Sequence, residues 1–214
     1  MNENSDESPA VRLTARGVRT RARIVTAAAE LMYVQGIGGT TLDDVIVASG
    51  ASKSQFYRHF DDKHALVRAV VAQVGEDTII RETNMLGNVS TLAGLRRWRD
   101  ALVKANALRH GMYGCPLGSL ANEVSDHDAL ARSMLEELFG TWQRLLNEAL
   151  DRMKDTGVLA ESADTTRLAV GFLASLQGGY LLAQTARDVE PMATAIDVAL
   201  SHLESLTVQS RAAS

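Results

Sequence analysis

Apolar residues recur at helical spacing along nearly all of the 214-residue chain, and Gly, Pro and capping residues cut that pattern into separate helices. From Thr20, the positions Ile24, Ala27, Ala28, Leu31 and Met32 line one face of a helix ending near Gly36, where Gly36, Gly38 and Gly39 give the freedom for a turn. Thr41, with Asp44 three residues on, forms a capping box for a short helix reaching Ser49, with Leu42, Val45 and Ile46 turned inward. Gly50 stops that helix and Ser52 caps the next, in which Phe56 and Phe60 share a buried face. Asp61 or Asp62 then caps a helix running from about Lys63 to Arg81, with Leu66, Val70 and Val74 inward.

The pattern breaks over Gly87 to Ser90 and resumes with Leu92, Leu95, Trp98, Leu102 and Ala105 up to about His110. Gly111 and Gly114 end that helix, and Pro116 fits the first position of the next, which places Cys115 at its N-cap. A long helix from His127 carries Leu130, Met134, Leu138, Trp142, Leu145, Leu146 and Leu150, and Gly157 stops it. Thr165 to Arg187 forms another, with Leu168, Phe172, Leu176, Gly179 and Ala183 near one seam, and Pro191 opens the last, with Ala195, Val198, Leu203 and Leu206 apolar. The small residues of the run LASLQGGYLLAQ permit close helix approach, so two adjacent long helices per subunit are expected to build an isologous interface. The alternative is that these helices are wholly core within one chain. Residues 1–17 lack periodicity and read as a mobile arm, and residues 209–214 as a frayed end.

Composition agrees with an all-α protein: 5% aromatic residues and 3 prolines, with 46% hydrophobic and 22% charged residues, describe an ordinary globular chain rich in helix formers. The single cysteine, Cys115, excludes a disulfide framework within the chain and argues against a structural zinc site, and neither a cofactor nor a metal is implied. No apolar run is long enough for a membrane helix and the polar start is unlike a secretory signal, so a cytoplasmic location is expected. The net charge of -4 is unevenly spread: residues 1–9 carry -3, residues 10–66 carry +3, and residues 67–214 carry -4. That distribution suits one small module facing phosphate on an otherwise acidic body, although scatter on a mixed surface would give something similar.

The basic module contains the chemistry. Helix, tight turn with Gly50, and short polar helix form a helix-turn-helix pattern, whose second helix enters the major groove of a duplex with its N-terminal residues on base edges. Arg12, Arg16, Arg19, Arg21 and Arg23 precede it and could neutralise backbone charge, or form the solvated start of a helix. The run from Thr41 through Leu66, with T-L-D-D-V, A-S-G-A-S-K and F-Y-R-H-F-D-D-K-H-A-L in order, closely resembles the N-terminal domain of the TetR family of bacterial transcriptional regulators, over roughly residues 19–66.

The resemblance implies a three-helix DNA-binding domain over residues 18–66 and an effector-binding and dimerisation bundle over residues 67–208, joined by a lever helix, with a homodimer on a palindromic double-stranded operator. By motif position, Thr41 and Ser52 are capping and phosphate contacts, Tyr57, His59 and Lys63 are backbone clamps, and Lys53, Ser54, Gln55 and Arg58 lie near bases. Ser54 and Gln55 depart from the commoner Gly and small hydroxyl, so the operator sequence does not transfer from relatives. The run G-C-P-L-G-S-L around Cys115 resembles a subgroup with a cysteine at this junction, some of which respond to electrophiles or oxidants. A thiol at a helix N-terminus would be more readily ionised, whereas a buried one would be an inert small hydrophobe.

An effector of small-molecule size is expected among the helices after residue 92, with Trp98, Met112, Tyr113, Cys115, Trp142, Phe172 and Gln177 as candidate lining, although such residues are also what cores use. Two other readings compete with a ligand-released repressor. One is a helical enzyme using Cys115 with His110 or His127 as base, for which no oxyanion site or metal set is apparent, and the other is a helical adaptor whose hairpin no longer binds DNA.

Overall fold

The structure is a computed structural model that describes residues 14–208, so the expectations for most of the N-terminal arm and for the frayed end lie outside the described residues. Its described elements are α1 (Ala15–Gly39), α2 (Leu42–Ser49), α3 (Lys53–Tyr57), α4 (Lys63–Leu86), α5 (Leu92–Ala107), α6 (Pro116–Val124), α7 (Ala129–Asp155), α8 (Thr165–Ala186) and α9 (Glu190–Ser205). The fold is all-α, with one isolated bridge between Leu159 and Thr207 among the described residues.

Side-chain caps start seven of these helices. Thr14, Thr41, Ser52, Asp62, Thr91, Asp128 and Asp164 each accept from a backbone N–H in the first turn, meeting donors the helix itself leaves open. Only α6 and α9 begin without one, and both place a proline within the first two positions, where φ is preset and one open N–H is removed.

Three boundaries or faces differ from the sequence reading. Ala15, Arg16 and Gly17, expected in the arm, form the first turn of α1 because Thr14 accepts from Gly17 N. α4 continues to Leu86 instead of stopping near Arg81. The cause is Glu82, a charge that ends an apolar pattern on paper but is fully buried, bonded by Trp98 Nε1 at 2.8 Å and by the Arg81 guanidinium at 3.0 Å. Leu130, Ala105 and Val198, expected inward, are exposed, and Ala131, Asn106 and Ile196 occupy the inner faces.

One apolar core runs from Ile24 in α1 to Leu203 in α9 without a gap at the expected domain boundary. α4 lies between α1 and α7, α6 touches α1, α4 and α7, and α8 with α9 forms a hairpin backed by α7 and α5. Gly75 and Gly179 are among the glycines that set close approaches between helices. Gly75 of α4 lies under the Leu138 side chain of α7, and a Cβ at Gly179 of α8 would come within 2.9 Å of Met192 Cα in α9. Gly179→Ala therefore has no side chain to push aside and must spread the hairpin. It should destabilise folding by about 1–3 kcal/mol, read as a lower urea midpoint at unchanged slope.

Candidate nucleic-acid interface and effector cavities

The reader is assembled from α1, α2 and α3. Gly50 adopts φ 64, a left-handed cap that only a residue without Cβ takes at no steric cost, and its N–H donates to Val47 O. Reciprocal capping boxes then start both helices of the motif. Thr41 Oγ1 and the Asp44 carboxylate exchange bonds with each other's backbone, and Ser52 Oγ accepts from Gln55 N while Gln55 Oε1 accepts from Ser52 N at 2.9 Å. Phe56 and Phe60 are buried with ring centroids 5.6 Å apart, and Arg21 of α1 sits over the Phe60 ring. This small anchor turns the rest of α3 outward.

The outward residues are those the sequence singled out. Ser52, Lys53, Ser54, Tyr57 and Arg58 are exposed and Gln55 and His59 half-buried, all on α3 or its ends, while Thr41 heads α2 and Lys63 heads α4. Several are already engaged. Gln55 spends its carbonyl oxygen on the cap and keeps its NH2 donors free for an acceptor such as adenine N7. Lys53 pairs with Asp43 at 3.0 Å on the surface, and Lys63 Nζ donates to Ile37 O at 2.5 Å. Burial, with Arg21 and Arg58 beside it, pushes the His59 imidazole below its ordinary pKa, and its Nδ1 has no hydrogen-bond partner among the described residues.

Polar contacts that periodicity does not reveal tie α1 of the reader to the sensor half at two places, through Tyr33 and through Ile37 and Gly38, and tie α4 to the cap of α7 at a third. Tyr33 of α1 donates to Gly114 O and accepts from Arg109 Nη1, with the guanidinium over its ring. Arg68 of α4 donates to Asp128 at 2.8 Å, the carboxylate that also caps α7 through Ala131 N; that backbone bond and the Arg68 charge hold Asp128 below the usual carboxylate range. Glu123 of α6 accepts from the N–H groups of Ile37 and Gly38. At the far end of α4, Arg152 of α7 donates to Leu86 O and Val89 O.

The seven candidate lining residues do not share one space. Cys115 and Gln177 face a cavity of about 310 Å³ between α6, α7 and α8, together with Phe139, Tyr180, Leu181 and Gln184. Phe172 lines a different cavity of about 440 Å³ between α8 and α9. Trp98 and Trp142 are buried in the core, the first bonded to Glu82 and the second with its Nε1 unpartnered. Met112 and Tyr113 are half-buried in the turn before α6, where the Tyr113 ring meets Tyr33 at 5.3 Å. A third cavity of about 350 Å³ between α1, α4 and α6, lined by Tyr33, Val70, Val74, Arg81, Arg109 and Leu120 among others, includes none of the seven.

Cys115 does stand at the N-cap of α6, but its thiol is not activated there. It is 3% exposed, and burial pushes its pKa up in spite of the Gly118 and Leu117 N–H groups and the Gln177 amide, whose Nε2 donates to Sγ at 3.6 Å. His110 and His127, the two bases considered for it, are both exposed.

The fold and the outward α3 define a helix-turn-helix transcriptional regulator, and comparison with known proteins gives its family. Residues 24–70 match the family described as bacterial regulatory proteins, tetR family, and residues 91–198 match the C-terminal domain described as transcriptional regulator LmrA/YxaF-like. An uncharacterized HTH-type transcriptional regulator from the lacX 3' region of Lactococcus lactis subsp. lactis is 30% identical over 190 residues, covering 86% of this chain and 93% of its own. The HTH-type transcriptional repressor DhaR of Mycobacterium sp. (strain GP1) is 24% identical, with 80% and 86% covered. A TetR transcriptional regulator from Chloroflexus aurantiacus J-10-FL superposes with a TM-score of 0.78 at 23% identity, over 91% of this chain and 98% of that one. The chain belongs to the TetR family of transcriptional regulators.

The elevated thiol pKa has a direct consequence. In the native protein Cys115 should react with a disulfide reagent such as Ellman's at least about ten times more slowly than in urea, because only the exposed thiolate attacks. Equal rates would show that the thiol is open to solvent.

Proposed function

We propose that this regulator is a repressor that holds a palindromic operator as a homodimer and leaves it when a small effector binds the sensor half. The observation that carries the reading is the position of α3: a short helix started by a reciprocal capping box, with its polar side chains outward, anchored by Phe56 and Phe60 to a core that α4 continues into the sensor. Within it, Lys53, Ser54, Gln55 and Arg58 approach base edges, and Thr41, Ser52, Tyr57, His59 and Lys63 hold the backbone. The repressor sense is supported by the name of the relative DhaR. Chromosomal DNA as partner places the protein in the cytoplasm. The reading of Cys115 as a catalytic nucleophile loses support, because the thiol is buried against Gln177.

The homodimer rests on the outer face of the α8–α9 hairpin. Val170, Leu181 and Leu182 on α8 and Val198 on α9 are about half exposed or more, between 47% and 65%. Gly171 and Gly178 lie among them with open space beside their Cα atoms. A stripe of small and apolar residues facing water is what a self-complementary helical interface needs. Two such hairpins would form a four-helix junction, fixing the separation of two α3 helices to the repeat of the major groove, about 34 Å.

The effector reading places the ligand in the cavity beside Cys115 and Gln177, with Phe139 and Tyr180 as apolar walls and Gln177 as the polar group. The Gly114 to Leu120 run is the junction of the cysteine-bearing subgroup, and in this chain its thiol acts as lining, without redox chemistry. A ligand there releases DNA only to the extent that it binds better to the form with the wrong α3 separation.

Two measurements test these assignments. Removing one phosphate contact by Lys63→Ala should weaken operator binding across sequences and reduce the slope of log K against log salt by about one. Leu181→Glu should convert the dimer to monomer in sedimentation and abolish tight operator binding while α-helical content is retained, and a dimer unaffected by this change would remove the hairpin from the interface.

A further inference from the structure

Glu123 belongs to α6 in the sensor half, yet its carboxylate is spent on the reader. Gly36, at φ 78, breaks the ladder of α1 just before its end, and a fresh turn begins at Ile37. The break leaves N–H groups without carbonyl partners. Glu123 Oε2 accepts two of them, from Ile37 N at 2.8 Å and from Gly38 N at 3.2 Å. Glycine is favoured at residue 36 by its positive φ, and a Cβ there would lie 3.2 Å from that same oxygen.

Ile37 C=O and Gly38 N–H belong to one peptide group, and in a trans peptide they point in opposite directions. The carbonyl accepts from Lys63 Nζ at 2.5 Å. One planar unit is therefore held from both sides, by α6 through Glu123 and by the head of α4 through Lys63. We propose that Glu123 is a positioning residue for DNA binding: it fixes the Ile37–Gly38 peptide, whose carbonyl aims the Lys63 ammonium at a phosphate. The ammonium has three donors, and the carbonyl takes one and leaves two for the phosphate. A shift of α6 that withdraws Glu123 releases the peptide and then Lys63, so the sensor removes a phosphate contact as well as altering the spacing of the two α3 helices.

This inference rests on the DNA-binding reading and makes a prediction with an unusual sign. Deleting a bystander carboxylate near a polyanion strengthens binding, because a repulsive charge is lost. Deleting Glu123 should weaken it.

The test uses the duplex that the full-length wild type recovers from a random double-stranded library, with dissociation constants measured by anisotropy over a salt series. Wild type, Glu123→Ala, Lys63→Ala and the double variant form a cycle. Glu123→Ala should bind about three- to tenfold more weakly. Its salt slope should fall toward that of Lys63→Ala, and the double variant should be no weaker than Lys63→Ala alone. Glu123→Gln, which keeps an acceptor oxygen, should recover most of the loss. Additive losses in the cycle, or binding by Glu123→Ala equal to or tighter than wild type, overturn the inference and leave the DNA reading standing. If Glu123→Ala does not fold, Glu123→Asp, which withdraws the oxygen by one methylene, takes its place in the cycle under the same criteria. A wild type that recovers no duplex overturns the DNA-binding reading, and this inference with it.

Discussion

α4 is held along its whole length, and that constraint organises the molecule. At its head Lys63 and Arg68 are tied to α1 and to the α7 cap, in its middle Gly75 lies under Leu138, and at its end Arg152 of α7 takes the carbonyls of Leu86 and Val89. Because the apolar core passes through it without interruption, a change in how α7 or α6 packs has no soft joint in which to dissipate. It must move the reader or be resisted.

Polar groups inside that core add specificity at a cost. Glu82 is a fully buried carboxylate whose burial depends on Trp98 and Arg81, and losing one donor would strand a charge. Trp142 Nε1 and Asn106 Oδ1 are buried without a partner in the fold. Among the described residues of the reader the one such atom is His59 Nδ1, and the reader's geometry is set instead by two capping boxes and an aromatic anchor.

The reader was legible residue by residue because its determinants are local. A capping box needs two residues three apart, a left-handed turn needs one glycine, and a buried face needs aromatic residues four apart, so Thr41, Gly50, Ser52, Phe56 and Phe60 declare their roles in order. The sensor was legible only as a set of helices. Trp98, Trp142, Cys115 and Phe172 are all apolar residues at helical spacing, and nothing in their spacing separates a residue lining a cavity from one sealed in the core. Arg81 seemed to end α4 because the pattern treats a charge as solvated, whereas Glu82 is buried by a tryptophan sixteen residues away.

By itself, the sequence determined the all-helical class, the nearly complete set of helix starts, and the polar helix that faces outward, since caps, glycines and periodicity act over a single turn. Tertiary structure alone decided that Cys115 is buried with its pKa raised, that Val198 faces solvent beside Leu181 and Leu182, and that Glu123 reaches Ile37. These depend on which helices become neighbours. Contacts between residues 60 to 90 positions apart follow from packing many helices at once, and no local rule carries them.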